Sequence, residues 1–263
     1  MNHHNALHTL YDDNTIIAQL CEQFAAEIPA LSDEMLFDVS AQYINSDMYV
    51  LDVGCRDTTK TRKLQRRTGA SIIAMDLLSD AFDCRWSDPR LLVMQADARY
   101  LPYTYNAFDA IWCIDMLSHV DDVATCFMEF DRVLKPGGVL IIYSMECVAD
   151  KELPEQAYLM NHLALAPSFA DRQRIPHAAQ HWFELRERIE IGGQWREAWE
   201  MAGERVVSQQ LVRISRLNRF RNQLIDAVGE ARYHAEYARC MANVWHLMGY
   251  FSPVMWVYRK HRH

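Results

Sequence analysis

Residues 49–58 read Tyr49-Val50-Leu51-Asp52-Val53-Gly54-Cys55-Arg56-Asp57-Thr58, and this stretch decides the fold. Val50 and Leu51 form an apolar run that ends in an acid, Asp52. Gly54 then frees the backbone to turn sharply where a Cβ would be in the way. The pattern is a strand running into a glycine loop suited to cradling a small polar ligand. Arg56 and Thr58 stand where further glycines would loosen the loop. The Gly-rich nest and the Lys-Ser/Thr pair of a phosphate-binding P-loop are missing, so a phosphate ligand is disfavoured.

Working outward, short runs rich in Ile, Val, Leu and Met predict strands at 48–53, 71–76, 91–95, 110–114 and 139–144, each covered on both faces. Helical segments separate them. The clearest is 122–134, where Val123, Phe127, Phe130 and Leu134 recur at helical spacing before Lys135-Pro136-Gly137-Gly138 stops the helix. This alternation predicts a doubly wound, mostly parallel α/β sheet. Past 145 the pattern loosens, with Pro154, Pro167 and Pro176 set among short helical pieces. A helix at 194–202, a strand at 205–212, a long helical stretch from about 216 to 247 and a last strand at 254–259 are expected next. Before residue 45 the chain reads as mainly helical, with Ile16, Ile17, Leu20 and Phe24 on one face. The organisation expected is one domain over 1–263. It has an N-terminal helical cap at 1–45, a cofactor-binding core at 46–145, and cap insertions at 146–190 and 216–250.

Composition narrows the function classes. Of the 263 residues, 50% are apolar, enough for a sizeable core. The longest apolar runs, such as 139–143, are far too short to cross a bilayer, so no membrane partner is expected. Residues 1–10 are polar and lack the apolar stretch of a signal peptide. The seven cysteines are scattered without Cys-x-x-Cys spacing, as suits reduced, mostly buried thiols and a cytoplasmic location. A formal net charge of −8 argues against a nucleic-acid partner, which needs a broad positive surface. Lys60, Arg62, Lys63, Arg66 and Arg67 make 58–68 a basic helix, read as a solvated face. His177 and His181 stand at i, i+4 with no cysteine or carboxylate partner near them, and no metal site is expected.

Four more segments follow the first in strand order. Asp76 ends the second strand, where a carboxylate can accept hydrogen bonds from both ribose hydroxyls of an adenosine. Ala96-Asp97-Ala98 follows the third strand. The fourth segment runs from Phe108-Asp109 through Cys113-Ile114-Asp115 to His119-Val120-Asp121-Asp122. The fifth is Glu129-Phe130-Asp131-Arg132-Val133-Leu134-Lys135-Pro136-Gly137-Gly138.

In order and spacing the five segments resemble the class I S-adenosylmethionine (SAM) methyltransferases. Leu101-Pro102-Tyr103 and His119-Val120 resemble the small-molecule branch of that family, with its sarcosine, tocopherol, sterol and ubiquinone-type enzymes. The family usually has glycine where Arg56 and Thr58 stand, so the loop is degenerate. The resemblance covers about residues 45–145 and the closing strands. It implies a seven-stranded Rossmann-like sheet with helical cap insertions, SAM as cofactor and S-adenosylhomocysteine as product. The implied reaction is methyl transfer to an O, N or C nucleophile of a small-molecule substrate.

The same resemblance sets the cofactor among Tyr11, Asp52, Gly54, Cys55, Arg56, Asp76, Leu77, Asp97, Ala98, Cys113 and Asp115. Within that set, Asp97 is near the adenine amino group, and Arg56 is a candidate for meeting the methionine carboxylate. His119 is the candidate acid/base, because histidine alone titrates near neutrality when unperturbed. Tyr143 is a second candidate on the acceptor side, with Glu146 beside it. Trp182, Trp195, Trp199, Tyr233, Tyr237, Trp245 and Tyr250 make the insertions aromatic, which suits an enclosed apolar or cationic acceptor. Two other readings stay open: a binding or regulatory protein that keeps the fold, and non-methyl chemistry such as pericyclic ring closure.

Overall fold

The computed structural model describes residues 34–80, 82, 88–148, 155–192, 197, 200 and 206–262, together with residue 23. Tyr11, Trp195, Trp199, the helical face before residue 34 and most of the helix expected at 194–202 lie outside the described residues.

The strands are β1 (Tyr49–Val53), β2 (Ser71–Asp76), β3 (Leu91–Gln95), β4 (Phe108–Ile114), β5 (Leu134–Cys147), β6 (Phe183–Glu190) and β7 (Phe251–Lys260). They form one sheet in the order β3-β2-β1-β4-β5-β7-β6. Pairing is parallel from β3 across to β5, and β7 runs antiparallel to both β5 and β6. The seven-stranded, mostly parallel sheet expected from the sequence is therefore present.

The helices are α1 (Glu34–Tyr43), α2 (Thr59–Thr68), α3 (Val123–Val133), α4 (Gln156–His162), α5 (Arg174–Ala179), α6 (Val206–Arg219), α7 (Arg221–Val228) and α8 (Glu230–Leu247). Short 3-10 turns lie at Leu117–His119 and Pro167–Ala170. Sequence chemistry sets the helix ends. Asp122 caps α3 by accepting the Thr125 N–H at 3.0 Å. Gly69, at φ +73°, ends α2 by donating its N–H to the Gln65 carbonyl at 2.8 Å.

Because side chains alternate along a strand, each face of the sheet has its own core. Val50, Ile72, Ala74, Ala110, Trp112 and Ile141 face α1 and α2, where they meet Phe37, Val39 and Leu64. Leu51, Val53, Met75, Ile111, Leu140 and Ile142 face α3 and α5, where they meet Phe127, Phe130 and Ile175. Both faces are covered, which explains the nearly unbroken apolar runs of the central strands.

Two readings of the later chain are corrected. The sixth strand is Phe183–Glu190 rather than 205–212, so the 146–190 region is not wholly helical cap. Strand β6 sits at the sheet edge and carries Glu184, Arg186, Glu187, Arg188 and Glu190, the charged composition that protects an edge from further pairing. Such a strand has little of the apolar signature of a central one. Residues 206–219 are helical despite the strand preference of Val206-Val207 and Leu211-Val212. Val207, Ile214 and Leu217 recur at helical spacing, and Leu217 and Ile214 pack with Tyr233 and Cys240 of α8. The long stretch expected from about 216 to 247 is broken at Phe220 and Gly229 into the end of α6, α7 and α8.

A separate cluster of Leu159, Phe169, Ala238 and Phe251 joins α4, the 167–170 turn, α8 and the start of β7. Phe251 pairs with Cys147 at the carboxyl end of β5. These helices therefore roof the carboxyl ends of the strands, where open α/β sheets bind ligands.

Candidate active site

The chain leaves β1 for β2 and β3 on one side, then returns to β4 on the other. The crevice between β1 and β4 is thus the topological switch point of the sheet. Gly54 opens the loop there with φ +87°, and a Cβ on it would lie 2.4 Å from the Cβ of Met116. Only glycine lets the loop pass so close to the end of β4. The Gly54 and Cys55 amides donate to the Met75 carbonyl at 2.8 and 3.0 Å, tying the loop to β2.

Arg56 and Thr58 are also left-handed, at φ +50° and +62°. A non-glycine residue in that region costs about 1–2 kcal/mol, so the loop keeps a glycine-like path without the glycines. The acid at the end of β2 helps hold it. Asp76 Oδ2 accepts the Arg56 N–H at 2.9 Å and Oδ1 accepts the Leu78 N–H at 3.0 Å. Each carboxylate oxygen has a further lone pair, which leaves Asp76 able to accept ligand hydroxyls. Next to it Leu77 and Leu78 are 58% and 67% exposed, an apolar shelf beside an acid. The Arg56 side chain is exposed.

The remaining expected cofactor residues fall into two groups. Asp52 is buried beneath the loop, where its Oδ2 accepts the Thr61 hydroxyl at 2.5 Å. Burial is the main cause that pushes its carboxyl up to about 7, with the Thr61 hydrogen bond and the nearby Lys60 charge opposing. The Cys55, Ala98 and Cys113 side chains are in the core, so these residues can offer a ligand only backbone atoms. Burial also holds both thiols well above their usual range.

Asp97 and Asp115 have partly exposed carboxylates, at 26% and 43%. Arg99 grips Asp97 through Nε at 3.1 and 3.2 Å and Nη2 at 2.7 Å, holding that carboxyl below its usual range. Asp115 has φ +61°, its amide donates to the Tyr143 carbonyl at 2.9 Å, and its Oδ2 is 3.0 Å from Lys60 Nζ.

A cavity of about 270 Å³ adjoins Asp115 under the roof. Met145, Leu163, Leu165, Phe169, Ala242 and Phe251 give it apolar walls. Ser118 and His119 border it from the end of β4, and Arg239, Asn243 and His246 from α8. Arg239 is held by Glu236 through two nitrogens at 2.7 to 3.0 Å.

His119 Nδ1 lies 3.0 Å from the Ala164 carbonyl. A carbonyl only accepts, so Nδ1 carries the proton and Nε2 of the neutral ring has the free lone pair. The turn bearing His119 is clamped from the roof side. The Ala166 amide donates to Ser118 O at 2.9 Å, and the buried Arg174 donates to Leu117 O at 2.7 Å and Val120 O at 3.1 Å.

Tyr143 does not border this cavity. It packs on the α1/α2 side of the sheet, with Lys60 Nζ 6.0 Å from its ring centroid. Glu146 is likewise turned away from an acceptor: it is buried between Arg172 and Arg188 at 3.0 Å each. Helix α5 ends at Ala179, so His181 lies beyond the helix that carries His177. Lys60, Met116, Ala164, Arg174 and the α8 residues were not singled out for this site from the sequence. Their partners lie far along the chain, and no spacing rule joins them.

A family model described as a methyltransferase domain matches residues 51–142, from the first motif through the apolar part of β5. Over this stretch the chain is similar to a methyltransferase domain. Methyltransferase GfsG of Streptomyces halstedii is 35% identical over 100 residues, which cover 35% of this chain and 36% of that protein. Sterol 24-C-methyltransferase ERG6B of Gibberella zeae is 27% identical over 143 residues, covering 51% of this chain and 38% of the relative. The chain thus spans little more than a third of the length of these curated relatives. Among solved structures, the 4+2 cyclase SpnF superposes with a TM-score of 0.64 at 22% identity, over 86% of this chain and 81% of that one. At that identity the likeness is one of fold. The matched stretch holds the Gly54 loop, Asp76, Asp97 and Asp115, and the roof lies outside it.

Proposed function

We propose that this chain is a SAM-dependent methyltransferase acting on an O, N or C nucleophile of a small organic molecule enclosed beneath α4 and α8. The observation that carries the reading is the apolar cavity beside Asp115 and His119, next to the switch-point crevice. An acceptor there lies alongside a ligand held in the Gly54 loop. The donor set fits adenosine: Asp76 for the ribose hydroxyls, the Leu77–Leu78 shelf for a flat base, and Asp97 for its amino group. When bound, the cofactor supplies an electrophilic methyl on a sulfonium, so the protein need only align the nucleophile and exclude water. The apolar walls of the cavity suit an apolar acceptor. His119 Nε2 can take a proton from an acceptor hydroxyl or ammonium while Nδ1–H stays on Ala164 O.

The acidic net charge and roofed strand ends favour a small acceptor over nucleic acid. No helix among the described residues is long and apolar enough to cross a membrane. The five cysteines among the described residues are free thiols, which favours a cytoplasmic setting.

A second reading rests on the non-glycine loop together with the likeness to a cyclase: retained cofactor binding with ring closure instead of transfer. One experiment separates the two. The full chain is titrated with SAM and S-adenosylhomocysteine, then incubated with SAM and a panel of apolar hydroxyl- and amine-bearing compounds for product mass analysis. Binding with a product heavier by one methylene supports transfer. Binding with a product isomeric to its substrate supports ring closure, and no binding of either ligand removes both readings.

A further inference from the structure

The Lys60–Asp115 ion pair spans the switch-point crevice itself. Lys60 lies in the first turn of α2, just past the Gly54 loop, and Asp115 is the first residue after β4. Their 3.0 Å contact joins the two sides of the crevice in which a switch-point ligand binds. Both side chains are about half exposed, at 53% and 43%, and an exposed ion pair adds little to stability. Its placement is nonetheless specific. Asp115 takes a left-handed backbone that favours glycine, is fixed through the Tyr143 carbonyl, and borders the acceptor cavity.

We propose that this pair receives the amino-acid end of the cofactor. The ligand's ammonium replaces Lys60 at Asp115 Oδ2, and its carboxylate takes the released Lys60 ammonium. Two protein charges and two ligand charges are paired before and after, so no ion is left uncompensated at the crevice. The pair selects a zwitterion, and a ligand with only one of the two charges leaves a partner unmatched. Arg56 is less suited to the carboxylate. Its backbone is tied to Asp76 on the β2 side of the loop, whereas Lys60 already reaches the β4 side.

This inference rests on the cofactor reading above, and two probes separate them. S-adenosylhomocysteine has the amino-acid end, and 5′-methylthioadenosine has the same nucleoside without it. Calorimetric titration of the full chain should show the first binding more tightly. Lys60→Met and Asp115→Asn should each weaken S-adenosylhomocysteine about 10- to 100-fold, the loss of one charge-assisted contact. Methylthioadenosine affinity should not change, which also shows that both variants are folded. Equal losses for both ligands, or no loss for either, would overturn the proposal while leaving the cofactor reading intact. Tighter S-adenosylhomocysteine binding by Lys60→Met would also overturn it, because the bridge would then be an obstruction. A native chain that binds neither probe removes the reading and the proposal together.

Discussion

Replacing Asp52 by asparagine tests whether a buried carboxyl lies under the Gly54 loop at the expense of stability. Asp52 is 2% exposed, and burial raises its carboxyl from 3.8 to about 7. At about 1.4 kcal/mol per unit, its full ionisation costs the fold roughly 4 kcal/mol. The folded value lies above the unfolded one, so the folded protein binds more protons between them. Stability from this group is then fully present below about pH 4 and is lost as the pH rises through about 7. Asparagine copies the protonated form and can still accept the Thr61 hydroxyl. Its amide brings donors with no ready acceptor in the buried site, at a cost of about 1–3 kcal/mol. Asp52→Asn should therefore be more stable than the native protein by about 1–3 kcal/mol at about pH 8.5. Near pH 4.5 it should be equal or less stable. Urea unfolding midpoints across that range measure the difference directly. A stability difference that does not change between the two pH values would refute the assignment of the raised carboxyl to Asp52.

Arg56→Gly relieves a left-handed residue but loosens the unfolded chain, and should raise stability by about 0.5–1 kcal/mol in thermal unfolding. A loss of stability there would mean that the arginine side chain makes a contact worth more than the strain. Gly54→Ala should do the reverse, losing at least about 2 kcal/mol, because its Cβ meets Met116 and its φ is +87°. Retained cofactor affinity in that variant would show that the loop can yield. His119→Ala should leave S-adenosylhomocysteine affinity unchanged, since the ring is bonded to Ala164 on the acceptor side. If His119 takes the acceptor proton, turnover should fall about 100-fold or more. Undiminished turnover assigns the histidine to packing.

The parts of the fold legible in the sequence are those with one dominant physical cause. The central strands are buried on both faces, so their residues are apolar in unbroken runs, and β1 to β4 fall close to their expected limits. Strand β5, expected at 139–144, instead extends over Leu134–Cys147 and takes in the 135–138 stretch read as a helix stop. Strand β6 pairs with β7 alone and five of its eight residues are charged, so it carries little of the apolar strand signature. Helix α6 shows the opposite failure. Val206-Val207 favours a strand locally, but packing of Ile214 and Leu217 against α8 decides the matter. The acids at the strand ends were legible because topology delivers each carboxyl end to one edge of the sheet. The ion pair was not. Lys60 and Asp115 lie 55 residues apart in sequence, and a lysine in a run of five basic residues reads as solvated until its partner is placed.

The loop shows why residue identity alone misjudges such a site. Losing two glycines suggests a cradle that has closed. The backbone at Arg56 and Thr58 nevertheless holds the left-handed path, and Asp76 holds the loop in place through the Arg56 amide. Asp76 therefore supports a strained loop and, on the proposed reading, also presents oxygens to a ribose. Asp76→Asn separates the two tasks, because an amide oxygen can still accept one backbone N–H but the charge is gone. If ribose binding dominates, the variant should lose adenosine-ligand affinity by about 10-fold or more with thermal stability nearly unchanged. If loop support dominates, Arg56→Gly in the same background should restore stability, because a glycine no longer needs the carboxylate to hold its backbone left-handed. Affinity and stability that both survive in Asp76→Asn would leave neither task to Asp76.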